Sequence, residues 1–175
     1  MVSRKIQNVF KNNHIHPEAY HGGDLNGVCS RRLMVDAQPI FDNILAVLLD
    51  VDDDWLVTRE KNREDFIMEV TTRINGYKEL LQLLDASYAL LRLTAPCEEE
   101  CDRTERTIKK GMKQWRHMQL SISPKVHIFE DHAAEQQRKH GGVADKSEDF
   151  VELSHQDGKR EHRRTGRITN FEKQH

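Results

Sequence analysis

Between Arg63 and Leu93 the chain carries apolar residues at Phe66, Val70, Ile74, Tyr77, Leu81, Leu84, Tyr88 and Leu91. The steps are 4, 4, 3, 4, 3, 4 and 3, a heptad-like repeat that no strand pattern can produce. A helix of this length with one apolar stripe must cover that stripe. Two outcomes satisfy it: the stripe is the centre of a helical bundle, or it is the seam of an intermolecular coiled coil. Leu80, Leu83 and Leu90 add apolar surface beside the stripe and make it wider than a two-stranded seam. The bundle is therefore the expected fold. Homo-oligomerisation through residues 63–93 remains the alternative use of the same surface. Gly76 is the point at which this helix is expected to bend.

The rest of the chain reads as helices that can pack against this one. Residues 3–12 suit a short amphipathic helix with Ile6, Val9 and Phe10 on one face. His14 to Gly27 is rich in loop residues. From Val28 to Val51 the pattern is helical again, with Pro39 opening a helix whose stripe is Ile40, Ile44, Val47, Leu48 and Val51. Asp50, Asp52, Asp53 and Asp54 follow as an acidic turn, read as a solvated helix end rather than a chelator. Thr94, Ala95 and Pro96 stop the long helix. A second long helix is expected over Glu98 to Leu120, with Ile108, Met112, Trp115 and Gln119 on one side. Glu98, Glu99 and Glu100 suit the positive end of its dipole. Pro124 opens another helix, which Gly141 and Gly142 end, and a last one starts near Ser147. Lys125 to Phe129 is the one weak strand pattern, and no repeats are present. The expected organisation is one helical domain over residues 1–155 and a polar tail over 156–175.

Composition narrows the class. In 175 residues, 32% are charged and 37% hydrophobic, with 4 prolines. Mean hydropathy is -0.78. These values describe a heavily solvated helical protein with one core. The net charge of -2 gives no global attraction to nucleic acid, so any such binding must come from a local patch. Three cysteines, Cys29, Cys97 and Cys101, give no disulfide framework. The opening residues lack the apolar region of a signal peptide, and no apolar run is long enough for a membrane span. An intracellular, reducing location, nuclear or cytoplasmic, is expected.

The groups able to carry chemistry are few. His127, Glu130, Asp131 and His132 lie together in one helical segment, and Glu148, Glu152 and His155 follow i, i+4, i+7 spacing in another. Carboxylates and imidazoles gathered in this way hold divalent metal or move protons. The same pattern also arises from two solvated or salt-bridged helix faces. Cys97 and Cys101 have spacing that permits two zinc ligands, but no second pair follows at a familiar interval. His14, His16 and His21 surround a glycine-rich turn at Gly22 and Gly23. After Gln156 six Lys/Arg stand against three Asp/Glu. Arg160, Arg163, Arg164 and Arg167 would share one face of a helical tail, as a solvated face or as a phosphate-contacting arm. No nucleophile elbow, phosphate-binding glycine loop or H-E-x-x-H is present.

Two stretches resemble a family. Tyr20 to Gly27, Y-H-G-G-D-L-N-G, resembles the Y-H-G-G-x-x-x-G segment of large transposon-encoded proteins of eukaryotes, in which an all-helical insertion follows. Pro124-Lys125-Val126-His127 with Glu130 and His132, then Gly141-Gly142, then Glu148, Glu152 and His155, resembles the P-K-x-H-x-x-E-x-H helix, turn and E-x-x-x-E-x-x-H that come next. The motifs occupy some thirty positions. The resemblance implies the insertion and C-terminal region of a DDE-type transposase with an RNase H-like core. Such enzymes hold two divalent metals with two Asp and one Glu and cut DNA by in-line attack. Glu152 matches the Glu position best and Glu148 second. The two Asp belong to strands before the insertion, for which this sequence has no match, and Asp24 does not replace them.

The expectation is a mainly α, antiparallel helix bundle with a loop-rich N-terminal segment. Its expected role is that of a catalytically incomplete, transposon-derived fragment that binds nucleic acid or protein, with no resident cofactor unless a divalent metal completes a site. The alternatives are a free-standing helical interaction module and a small metal-binding enzyme centred on His127, Glu130, Glu152 and His155.

Overall fold

A helix of 29 residues, Arg63–Leu91, runs through the computed structural model as its longest element. The structure describes residues 2–16, 25, 27–52, 56 and 62–143. Among these residues there are six helices and no strand: α1 (Val2–Asn12), α2 (Gly27–Val35), α3 (Ala37–Leu49), α4 (Arg63–Leu91), α5 (Glu98–His117) and α6 (Pro124–His140). The expected all-helical bundle is therefore what the chain forms. The helix expected near Ser147 and the polar tail lie outside the described residues, as do Pro17 to Asp24 of the glycine-rich segment.

Local chemistry explains the boundaries. The Asn62 side chain accepts the Glu64 N–H at 2.8 Å and caps α4, with Glu64 and Asp65 in its first turn. Glu100 reaches back to the Cys97 N–H at 2.9 Å and closes the start of α5. Ser123 caps α6 ahead of Pro124, which fixes Lys125–Phe129 as helix despite its alternating pattern. Gly141 ends α6 in the left-handed region, φ 65°, and its carbonyl accepts the Ala95 N–H at 2.8 Å. That bond ties the end of α6 to the α4–α5 turn. α5 stops at His117, short of the expected end. Gln119 has a φ of 56° and is exposed, so it does not continue the packed side.

α4 has different neighbours along its length. α3 runs antiparallel to its first half: Arg63 donates to the Val51 carbonyl at 3.1 Å, and Tyr77 stacks on Phe41 with centroids 5.8 Å apart. Lys78, only 8% exposed, pairs with Asp42 of α3. The cluster on this side contains Ile15, Cys29, Ile40, Phe41, Ile44 and Ile74, with Ile6, Val9 and Phe10 of α1 packed onto it. α5 returns antiparallel along the second half, so that Gln114 donates to the Gly76 carbonyl at 3.3 Å. There the buried residues are Leu80, Ser87 and Leu91 on α4 and Cys101, Thr104, Ile108, Gly111 and Met112 on α5. α6 closes the far side of α5, with Val126, Phe129 and Ala133 against Leu91, Ile108 and Met112.

On a 3.6-residue helix, the α4 positions facing the first cluster and those facing α5 are turned by about 100° from one another. Phe66, Val70 and Ile74 belong to one face, Leu80, Leu83 and Ser87 to the other. This corrects the single stripe read from the sequence. Tyr77 and Tyr88 of that stripe are 36% and 45% exposed, while Leu81 and Leu84 are half-buried. Small residues let α4 and α5 approach closely. A Cβ on Gly111 would touch that of Leu83 at 3.5 Å, and one on Gly76 would meet Met118 Sδ at 3.3 Å. Gly76 thus serves close packing within an unbroken helix. The buried Ser87 and Thr104 hydroxyls donate to the Leu83 and Glu100 carbonyls one turn back, so neither is left unpaired.

Two substitution pairs test this packing in urea melts. Ile108→Ala, at a site 1% exposed, should cost about 2–5 kcal/mol. Leu80→Ala should cost more than Leu81→Ala, the reverse of the order that a stripe centred on Leu81 gives. Gly142 has a φ of 119° and a Cβ there would lie 2.7 Å from the Leu93 carbonyl oxygen. Gly142→Ala should therefore destabilise by more than the roughly 1 kcal/mol typical of a surface Gly→Ala at positive φ. Gly141→Asn, with open space around it, should be tolerated.

Candidate functional site

Of the acid and histidine residues of α6, His127, Asp131 and His132 come together while Glu130 does not join them. Glu130 turns toward α5, where Arg116 grips it with both guanidinium nitrogens, Nη1 at 2.8 Å from Oε1. This fork-to-fork pair holds the Glu130 carboxyl below its ordinary range, against the opposing effect of desolvation. His127 is exposed and pairs with Asp131 at 2.8 Å. His132 faces Glu135 at 3.7 Å, its ring edge-on to that of His127 with centroids 5.9 Å apart. His127 and Asp131, both expected in that group, thus meet each other, while Glu130 is drawn off by Arg116. Glu148, Glu152 and His155 lie outside the described residues, as do His21, Gly22 and Gly23 and Arg160, Arg163, Arg164 and Arg167.

Among the described residues no three His, Cys, Asp or Glu side chains are arranged to hold a metal ion. Glu152 and Glu148, to which the transposase resemblance assigns the metal-binding Glu, lie outside the described residues, and Glu130 is already bound to a cation. Cys97 and Cys101 are both free thiols, one exposed at the head of α5 and one buried. Burial pushes the Cys101 thiol up, away from the thiolate that zinc requires. His14 and His16 are exposed, and the His14 carbonyl accepts Arg32 Nη1 at 2.8 Å.

The surface that stands out is the solvent side of α5. Its apolar side is buried against α4 and α6, which orients the opposite side outward. Arg103, Arg106, Lys110, Lys113 and His117 occupy that outer side in steps of 3, 4, 3 and 4, and all are exposed. None of the five has a carboxylate partner among the described residues. Arg106 donates Nε to the Asp102 carbonyl at 3.2 Å, which leaves its terminal nitrogens outward.

The carboxylates of α5 are drawn to one edge. Arg138 of α6 contacts Glu98 at 2.8 Å, Asp102 at 2.6 Å and Glu105 at 3.0 Å, which stand at i, i+4 and i+7. The three carboxylates raise the guanidinium's pKa further, and Arg138 with Lys109 holds Glu105 below its ordinary range. Acidic charge is thereby collected and neutralised where α5 meets α6. Glu99, also exposed, remains at the N-terminal end of the outer face. From Arg103 to His117 that face is basic.

The sequence contained this signal, but α5 stood out there for its apolar side and its acidic start. A face of α5 could be recognised as outward only once both packing neighbours were known. No described helix is long and apolar enough to cross a membrane. Neither protein-family models, curated proteins nor solved structures give a match to this chain.

The ion pairs set the acid behaviour. Glu130, Asp42, Glu105 and Asp50 are all held below their ordinary pKa by the cations they meet, Arg116, Lys78, Lys109 with Arg138, and Lys5. A carboxyl whose folded pKa is depressed contributes stability that is present above its unfolded pKa and lost as pH falls through the folded one. Stability should therefore decline as pH drops below about 4. Glu130→Gln should flatten this decline in urea midpoints measured across that range, whereas an unchanged slope would remove the Arg116–Glu130 pair from the acid response.

Proposed function

We propose that this chain is a helical module that binds nucleic acid through the outer face of α5, and that it derives from a mobile-element protein. The observation carrying the reading is the row of Arg103, Arg106, Lys110, Lys113 and His117, exposed and without carboxylate partners among the described residues. In a chain of net charge -2, charge complementarity must be local, and this row supplies it. The locally basic tail, with Arg160, Arg163, Arg164 and Arg167, is a second contributor in the same sense. The resemblance to the insertion and C-terminal region of DDE-type transposases supports nucleic acid as the partner. The role proposed is binding without strand cleavage, because the two metal-binding Asp of those enzymes have no matched position here.

Binding of a labelled nucleic acid by the full chain should weaken steeply with salt, as phosphate neutralisation requires. Lys110→Glu with Lys113→Glu should weaken it by about tenfold or more, since each reverses a phosphate contact. A chain ending at Gln156 should bind more weakly than the full chain if the tail takes part, and equally if the α5 face acts alone. With Mg²⁺ or Mn²⁺ the protein should neither nick nor join DNA. Nicking that disappears in Glu152→Gln would show a working catalytic site and replace this reading.

A further inference from the structure

Resting on that reading, we propose further that the α5 face takes double-stranded nucleic acid by its phosphate backbones and does not read bases or hold single strands. Single-strand binders need aromatic platforms on which bases stack. The outer face of α5 has no Phe, Tyr or Trp, and its single ring, His117, stands at the very end of the row. Trp115, the one aromatic residue of α5, belongs to the opposite side, packed against the cluster of Leu91, Ile108 and Met112. Its indole N–H donates to the Ser121 carbonyl at 3.1 Å, which fixes the ring there.

The side chain that would read adenine is engaged as well. The one amide side chain of α5, Gln114, donates to the Gly76 carbonyl on the α4 side. What faces outward from Arg103 to Lys113 is two arginines and two lysines on flexible stems, with Arg106 held at its Nε. All four can reach phosphates, and with no amide beside them they carry no pattern of mixed donors and acceptors to read a base sequence. The four cations from Arg103 to Lys113 span about 15 Å at 1.5 Å per residue, roughly 5 Å apart. A duplex presents about one negative charge per 1.7 Å of axis, so it satisfies such a row better than a single strand does. An anionic membrane surface would need apolar side chains beside the cations. On α5 these are buried within the bundle.

The test is fluorescence anisotropy of the full chain with a short labelled duplex, the same strand alone, a second duplex of unrelated sequence, and phosphatidylserine vesicles. The two duplexes should bind alike, and the single strand about tenfold more weakly. The duplex should show a log–log salt slope of roughly -3.6 or steeper, four phosphates neutralised by α5 plus those that the tail adds. A single strand bound as tightly as the duplex, or one duplex strongly preferred over the other, would overturn the duplex-backbone inference and leave nucleic-acid binding standing. Binding of neither, or binding of vesicles alone, would overturn both. Lys110→Ala with Lys113→Ala, at exposed positions that should leave the thermal melt unchanged, should lower duplex affinity. Unchanged affinity in that variant would move binding off α5 and overturn the site.

Discussion

Everything in this structure depends on α4 burying two different faces. Its first half must cover the cluster built by α1, α2 and α3, and its second half must cover α5. A helix with one stripe can serve only one neighbour along its length. The leucine-rich stretch from Leu80 to Leu84 widens the stripe, and beyond it the buried line passes from Ile74 to Leu80, Ser87 and Leu91. The polar residues within this packing are matched, except that Gln137 Oε1 has no hydrogen-bond partner among the described residues. Lys78 has Asp42, and Ser87 and Thr104 bond back to their own helices. Gln137 donates its amide to the Leu90 carbonyl at 2.7 Å, where α6 crosses the end of α4.

The orientation of α5 follows from that spine. Cys101, Thr104, Ile108, Gly111 and Met112 are all buried, so the side bearing Arg103, Arg106, Lys110 and Lys113 is the exposed one among the described residues. Arg138 then decides how the charge is distributed. By gathering Glu98, Asp102 and Glu105 it moves most of the acidic charge of α5 to the α6 edge. A chain with a small net negative charge thus presents one helix face that is positive. Burial, through the α4–α5 and α5–α6 contacts, sets that electrostatic pattern.

Much of the fold was legible in the sequence because helix signals are local. The heptad steps located α4, Pro96 and the three glutamates located the start of α5, and Pro124 with Gly141 bracketed α6. What could not be read was which neighbour each residue meets. Leu81 and Leu84 sat in mid-stripe yet are half-buried, whereas Leu80 is 2% exposed, because the change of partner along α4 is a tertiary fact. Likewise His127, Glu130 and His132 share a helix segment, but Arg116, fourteen residues away, takes Glu130 out of any common site. The α5 face was missed for the same reason: alternating charges look alike along a sequence until burial separates them.

Amine footprinting of the full chain, read residue by residue with and without duplex, tests the account most directly. Lys110 and Lys113 should label rapidly in the free protein and lose that labelling when duplex is added, while Lys78 should label slowly in both states. Rapid labelling of Lys78, or Lys110 and Lys113 labelled equally with and without saturating duplex, would contradict the account.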